Sequence, residues 1–392
     1  MIKRDVEDSI RSLLRGFPIV TITGPRQSGK TTLARAVFAD KPYLSLEDPD
    51  VRLAAIEDPR SFLSRFPEGG VIDEVQRAPE ILSYLQTLVD GDRRMGLFIL
   101  TGSQHFGLMS GITQSLAGRT AFVELLPFSR SELIRAGKEP EASDQAMFIG
   151  GYPPIYDRDI SPQAWFASYV TAYVERDVRQ VLKVQELETF QRFVRLCAGR
   201  TGGILNLSSL ATECGITHNT AKAWISVLQT SYIIFLLRPH EKNFNKRLVK
   251  SPKLYFYDSG LVCWLLGIRE DAQLETHPLR GAIFETYIIS DLKKSYLNRA
   301  EVPPFYFWRD SNGLEVDLLV EQIGRLMPVE IKSGRTVTRD FFTGLTRWTY
   351  LAGEASVTPT LIYGGGESYQ HKGIRVIGVE DPDSVNWDLN PR

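Results

Sequence analysis

Apolar positions recur at helical spacing from Val6 to Leu14, and the pattern then changes within PIVTITGPRQSGKTTLARAVF to a β-branched run, a glycine-bearing loop and a helix-forming segment. That order predicts strand, loop, helix. Further short apolar runs, Pro42 to Leu46, Val71 to Asp73, Leu97 to Ser103 and Ala121 to Leu126, are separated by helical patterns. Alternation of this kind predicts a parallel sheet covered by helices. Charged and small residues from Arg135 to Gln145 predict a loop, and Trp165 to Lys183 predicts a helix.

From Thr189 the pattern shifts to short helices, FQRFVRLCAGRTG and then LSSLATECG, the turn GIT and HNTAKAWISVLQ. Helix, tight turn and second helix, with Gly215 at the reversal, suggest a winged helix whose wing strands come from IIFLLRPHEKNFNKRLVKSPKLYFYD. After about Gly267 a helical GAIFETYIISDLKKSYL leads into strands FYFWRD, LEVDLLVE and LMPVEIKS. This predicts a third α/β unit, with no internal repeat.

Composition narrows the class. The 392 residues suffice for two or three cores, and no apolar run approaches the roughly 20 residues that span a bilayer. The N-terminus lacks the layout of a signal peptide, so a cytoplasmic protein is expected, with no membrane partner. Cys197, Cys214 and Cys263 are widely spaced, which argues for small core residues over disulfides or a thiolate zinc site. With a formal net charge of -1, any surface for nucleic acid must be local.

GPRQSGKT, Gly24 to Thr31, fits GxxxxGK[ST] between a strand and a helix. Gly24, Pro25, Arg26, Gln27, Ser28, Gly29, Lys30, Thr31 and Thr32 are therefore the candidate phosphate cradle for ATP, with Lys30 on the β and γ phosphates and Thr31 on Mg2+. Asp73 and Glu74 end an apolar strand. Asp73 is the second Mg2+ candidate and Glu74 the group that orients the attacking water. Ser103 and Gln104 close the next strand as candidate γ-phosphate sensors. Arg119, Arg176 and Arg179 are candidates to act across a subunit boundary, although a surface arginine is the commoner explanation for any one of them.

These residues look like an AAA-type ATPase. Together with IDEVQ, LTGSQ, SLAGR, LPFSRSEL, GGYPP, YVERDV, KSPKLYFYDSGL, FYFWRD, EVDLL and VEIKSG, the chain resembles the prokaryotic ATPases whose C-terminal half is catalogued as domain of unknown function 4143. The resemblance implies an ATP-binding AAA core, a winged helix and a nuclease-like module.

In such a winged helix the second helix offers His218, Asn219, Thr220, Lys222 and Trp224 to DNA, and the wing, Arg238 to Lys253, adds Arg238, Lys242, Lys246, Arg247, Lys250 and Lys253. A protein-protein spacer is the alternative. Further on, Asp317 lies in EVDLLVE, and after a turn near Gly324 a second strand brings Glu330 and Lys332 to one face, because side chains two apart on a strand point the same way. This D…ExK layout is that of the restriction-endonuclease-like fold, in which two acids bind Mg2+ and the lysine positions water. Glu285 resembles the extra acid many such nucleases place on the preceding helix. Trp308 and Arg309 either contact nucleic acid or, for the tryptophan, pack in the core.

The expected architecture is an α/β chain: an AAA-type P-loop core with a parallel sheet over 1–135, a helical lid or linker over 136–185, a winged helix over 186–264 and a restriction-endonuclease-like domain over 265–392. The expected function is Mg2+-dependent ATP hydrolysis by a homo-oligomer, coupled to binding and remodelling or translocation of DNA, with metal-dependent cleavage open. The alternative is a nucleotide switch acting on a protein partner or an operator, with a non-catalytic nuclease-like domain.

Overall fold

The computed structural model describes residues 2–102, 115–174, 187–241 and 248–381. The chain forms two compact units, one built mainly from residues 1–132 and the other from most of the remainder.

In the first unit, α1 (Val6–Leu13) precedes β1 (Ile19–Thr23), a loop, and α2 (Lys30–Val37). Then come β2 (Tyr43–Ser45), α3 (Pro49–Glu57), α4 (Pro59–Leu63), β3 (Gly70–Asp73), α5 (Ile81–Gly91), β4 (Phe98–Thr101) and β5 (Thr120–Glu124). All five strands pair in parallel in the order β2-β3-β4-β1-β5. The expected parallel sheet is therefore present, and β4 lies between the two strands that carry the predicted phosphate and magnesium residues.

Alternation within each strand divides the core. Ile19, Ile72, Phe98 and Leu100 face one apolar cluster, while Val20, Ile22, Val71 and Ile99 face the other. Both faces are thus buried, which is why these strands read as nearly continuous apolar runs. Helix starts follow local chemistry: Asp48 accepts from the amides of Asp50 and Val51 ahead of α3, whose first residue is Pro49.

Beyond β5, the predicted loop over 135–145 is cut short by the helices Arg130–Arg135 and Ser143–Ile149. The predicted helix from Trp165 begins at Pro162, and its regular part ends at Tyr169. The motifs GGYPP and YFYDSGL meet at Asp258, which accepts from the amides of Gly151 and Leu261. Gly150 has φ +72°, and a Cβ there would lie 2.3 Å from Asp258 Oδ1. Glycine is required at that contact.

Helices Leu187–Ala198, Leu207–Cys214 and His218–Thr230 precede an antiparallel pair, β6 (Ile234–Leu237) and β7 (Lys253–Phe256). Gly215 ends the second of these helices with φ +69°, as the sequence predicts for the reversal. A six-stranded mixed sheet follows, from β8 (Phe305–Arg309), β9 (Glu315–Gln322), β10 (Arg325–Lys332), β11 (Thr360–Tyr363), β12 (Tyr369–His371) and β13 (Ile374–Gly378) in the order β12-β13-β11-β10-β9-β8. Trp308 is fully buried with Val316, Leu319 and Trp348, which removes it as a nucleic-acid contact. The three cysteines are buried and unpaired by disulfides. Among the described residues no helix is long and apolar enough to cross a membrane.

Candidate functional site

The loop between β1 and α2 depends on two glycines. Gly24 has φ +146°, and a Cβ on it would sit 2.1 Å from the carbonyl oxygen of Leu125. Gly29, with φ +94°, turns the chain into α2. Both are conformations that L side chains rarely adopt. Lys30 is buried, and its ammonium donates to the carbonyls of Gly24 at 3.0 Å and Pro25 at 2.8 Å. Ser28 is buried and its Oγ has no hydrogen-bond partner. Gln27 and Thr32 are exposed, and Arg26 is half-buried.

Three hydroxyls converge on Asp73 at the end of β3. Thr31 Oγ1 donates to Oδ2 at 3.0 Å, Tyr43 Oη donates to the same oxygen at 2.7 Å, and Thr101 Oγ1 donates to Oδ1. Burial and the bond to Asp73 push the Tyr43 phenol well above its ordinary value, so it remains a donor. Glu74 follows in a left-handed conformation, φ 56°, with its amide donating to Thr101 Oγ1 at 3.3 Å and its carboxylate accepting from the side-chain amide of Gln76. Such a backbone is uncommon for glutamate and aims the carboxylate off the strand direction. An unpartnered Ser28 hydroxyl beside a glycine-only turn, with a hydroxyl and a carboxylate 3.0 Å apart at its end, fits a magnesium nucleotide, for which Thr31 and Asp73 would be the hard oxygen ligands.

Arg4 adds a contact that local sequence does not announce. Its guanidinium donates to Glu132 Oε1 at 2.9 Å, to the Ser28 carbonyl at 2.8 Å and to the Leu126 carbonyl at 2.7 Å. Glu132 is fully buried and also accepts from the amides of Asp5 and Ser129. Burial pushes its carboxyl up, but Arg4 and these amides outweigh burial and hold it below its ordinary value. The phosphate loop is thereby tied to the chain beyond β5.

Arg119 forms a two-point pair with Asp90 at 2.6 and 2.9 Å on the surface of its own chain. Ser103, Gln104, Arg176 and Arg179 lie outside the described residues, as do Lys242, Lys246 and Arg247.

The helix His218–Thr230 leaves His218, Asn219 and Lys222 exposed, with Thr220 half-buried. Trp224 is different: it packs edge-on against Phe190 and Phe193 at 5.2 and 5.1 Å, and so belongs to the core. The predicted wing is only partly a free surface. His240 N donates to the Phe307 carbonyl at 2.8 Å and Val249 N to that of Arg309 at 3.1 Å, so this connector extends the sheet edge at β8. Lys250 and Arg238 are exposed. Lys253, expected at a phosphate, is buried at 2% exposure.

The reason lies in the C-terminal acids. Lys253 Nζ is 3.0 Å from Glu285 Oε1, 2.5 Å from Glu315 Oε1 and 4.0 Å from Asp317 Oδ1. Tyr255, two residues on and on the same face of β7, donates to the same Glu285 oxygen. Asp317 Oδ2 accepts from the Ile331 amide at 2.9 Å and lies 3.8 Å from Lys332 Nζ, which is 2.6 Å from Glu330 Oε1. The predicted Glu285, Asp317, Glu330 and Lys332 are thus gathered, together with Lys253, Tyr255 and Glu315. Burial lifts the Glu285 carboxyl to about 7 and the Glu330 carboxyl to about 8, the nearby Asp317 charge adding to both. Glu330 Oε2 is buried with no partner. Still, among the described residues no three acid, histidine or cysteine side chains are disposed to hold a metal ion. As arranged, ammonium groups occupy the acids, and the set does not fit a divalent cation. Arg309 pairs with Glu315 at 2.9 Å.

Comparison with known proteins follows this division. A family profile described as AAA domain matches residues 16–134. Domain of unknown function (DUF8612) matches residues 140–272, and Domain of unknown function (DUF4143) matches residues 280–381 rather than the whole C-terminal half. The uncharacterized protein Rv2008c of Mycobacterium tuberculosis is 32% identical over 337 residues, covering 85% of this chain and 74% of that protein, and the uncharacterized protein Mb2031c of Mycobacterium bovis gives the same values. Among solved structures, the Walker-type ATPase PABY2304 of Pyrococcus abyssi is similar with a TM-score of 0.44 and 15% identity, over 68% of this chain and 96% of that one. AMPPCP-bound DnaA from Aquifex aeolicus gives 0.30 and 15%, over 57% and 85%.

Proposed function

The chain belongs to one family with the two mycobacterial proteins and carries an AAA-type P-loop ATPase domain joined to a DUF4143 domain, and on that premise we propose that it hydrolyses ATP with Mg2+ and couples the cycle to DNA. One observation carries the ATPase half: Thr31, Thr101 and Tyr43 all donate to Asp73, with Glu74 turned off the end of the same strand. Thr31 and Asp73 would hold a magnesium ion, which would supply charge neutralisation at the phosphate oxygens, and Lys30 and the loop amides hold the phosphates. Glu74 accepts the proton of the attacking water.

DNA engages the second unit through His218, Asn219, Lys222 and Lys250, which are exposed on a helix start and a connector. Residues 187–256 act as a winged helix, and the six-stranded sheet as a restriction-endonuclease-like module presented to the same DNA. The protein works as a homo-oligomer, with an arginine of one copy completing the site of another.

The test is ATP hydrolysis by wild type and Glu74→Gln at fixed salt, without DNA and with single-stranded, duplex and four-way-junction DNA. Stimulation by one DNA form, absent in the variant, is the expected result. A wild-type rate that no DNA changes removes the coupling and favours a nucleotide switch acting on a protein partner.

A further inference from the structure

The predicted metal ligands of the C-terminal unit already hold a cation. Glu285 and Asp317 both face Lys253, at 3.0 and 4.0 Å, and the other oxygen of Asp317 faces Lys332 at 3.8 Å. Glu330 is taken by Lys332 at 2.6 Å, and Glu315 is shared between Lys253 and Arg309. Four carboxylates therefore meet three positive charges, of which Lys253 is the buried one. A magnesium ion would take one or two of these carboxylates at about 2.0–2.1 Å and fill the rest of a near-octahedral shell with water. An ammonium at hydrogen-bond distance from Glu285 uses one of them and repels a second cation.

Lys253 also differs from a surface lysine that swings aside. It lies in β7, at 2% exposure, with its ammonium 5.6 Å from the centre of the Phe307 ring. Tyr255 Oη on the same strand face holds Glu285 in place against it. Leaving the site would face the carboxylates of Glu285 and Asp317, 14% and 11% exposed, toward each other without it, which poorly solvated surroundings penalise.

We propose that Lys253 is the resident cation of this site, standing where a divalent metal would bridge Glu285 and Asp317, so that the chain takes up no divalent metal there while Lys253 is seated. This rests on the reading of the module as restriction-endonuclease-like. It makes the module a surface that meets DNA without cutting it, and makes Lys253 the residue that decides which.

The experiment is Mn2+ binding to the full, nucleotide-free chain, followed by electron paramagnetic resonance, in wild type, Asp317→Asn, Lys253→Met and the double variant, each first checked for cooperative melting. Wild type and Asp317→Asn are expected to bind Mn2+ alike. Lys253→Met is expected to gain one site, tighter by about tenfold or more than any wild-type site that depends on Asp317, and the double variant to lose it. A wild-type site that Asp317→Asn abolishes overturns the proposal and leaves the nuclease-like reading standing. No Asp317-dependent site in wild type or in folded Lys253→Met overturns both. Should Lys253→Met not fold, Lys253→Gln replaces it, and the comparison of wild type with Asp317→Asn decides the first outcome by itself.

Discussion

Thr31 and Asp73 stand 42 positions apart in sequence and share a 3.0 Å hydrogen bond, which joins the first turn of the helix after the phosphate loop to the end of β3. Between β3 and β1, the strand that leads into the loop, lies β4, whose Thr101 reaches the other oxygen of Asp73. The carboxylate is thus held from both sides by groups of its own chain, the preorganisation that electrostatic catalysis exploits. Asp73→Asn keeps the shape and an acceptor oxygen but loses the charge. Hydrolysis is expected to fall by about 100-fold or more, while nucleotide affinity in a chelating buffer stays near wild type. Normal turnover in this variant would remove Asp73 from the metal site.

Gly24 makes a second, steric prediction. A Cβ there meets the Leu125 carbonyl oxygen at 2.1 Å, beside the Leu125 amide that donates to the Thr23 carbonyl at 2.7 Å. The loop must therefore lift away from β5 in Gly24→Ala. The strained backbone costs about 1–3 kcal/mol, and the cradle of amides is displaced. Wild type should melt at a higher temperature with magnesium ATP than without, since a ligand of the native state stabilises it. Gly24→Ala should show no such shift; an equal shift in both would refute the role given to this turn.

The phosphate loop was legible because its chemistry is written in eight consecutive residues. Its supports were not. Tyr43 and Thr101 reach Asp73 from other strands, and Arg4 reaches Ser28 across the fold, with spacings set by sheet order instead of local pattern. The C-terminal acids were legible because strand alternation puts Glu330 and Lys332 on one face. Lys253 falls in the stretch that charge alone assigns to a basic wing, although KLYF carries a signal: a lysine and a tyrosine at alternate positions of an apolar strand share one face, and a charge in a buried strand needs a partner. Trp224 reads in sequence with its exposed neighbours because helix starts look alike until packing against Phe190 and Phe193 is known. Strands β11 to β13 are only three to five residues long, too short for alternation to tell them from other apolar stretches.

Arg4 and Glu132 form a buried pair whose loss should show as stability and as pH dependence. Arg4→Met leaves the Glu132 charge uncompensated, at a cost of about 3–5 kcal/mol. Because Arg4 and two backbone amides hold the folded carboxyl below its ordinary 4.5, the unfolded chain binds the proton more readily. The pair's contribution is then complete above that value and disappears as pH falls through the depressed one. In urea titrations the gap between wild type and Arg4→Met should be widest near neutral pH and narrow toward pH 3. A gap that stays constant across that range would mean that Arg4 acts through packing alone.

Lys222 and Lys250 offer the remaining test, because each is exposed on an element assigned to DNA. A phosphate contact releases counterions, so removing one lysine that makes such a contact should reduce the slope of log affinity against log salt by about 0.9. Lys222→Ala and Lys250→Ala should each do so and together approach twice that change, while Asn219→Ala, which removes an uncharged side chain, should weaken binding with the slope preserved. ATP hydrolysis without DNA should be unchanged in all three, since none of these residues belongs to the nucleotide site. Fluorescence anisotropy with a labelled duplex over a range of salt concentrations separates the cases. An unchanged slope in the double lysine variant would mean that this face of the second unit does not meet the backbone, and the exposed helix start would then have to serve a protein contact.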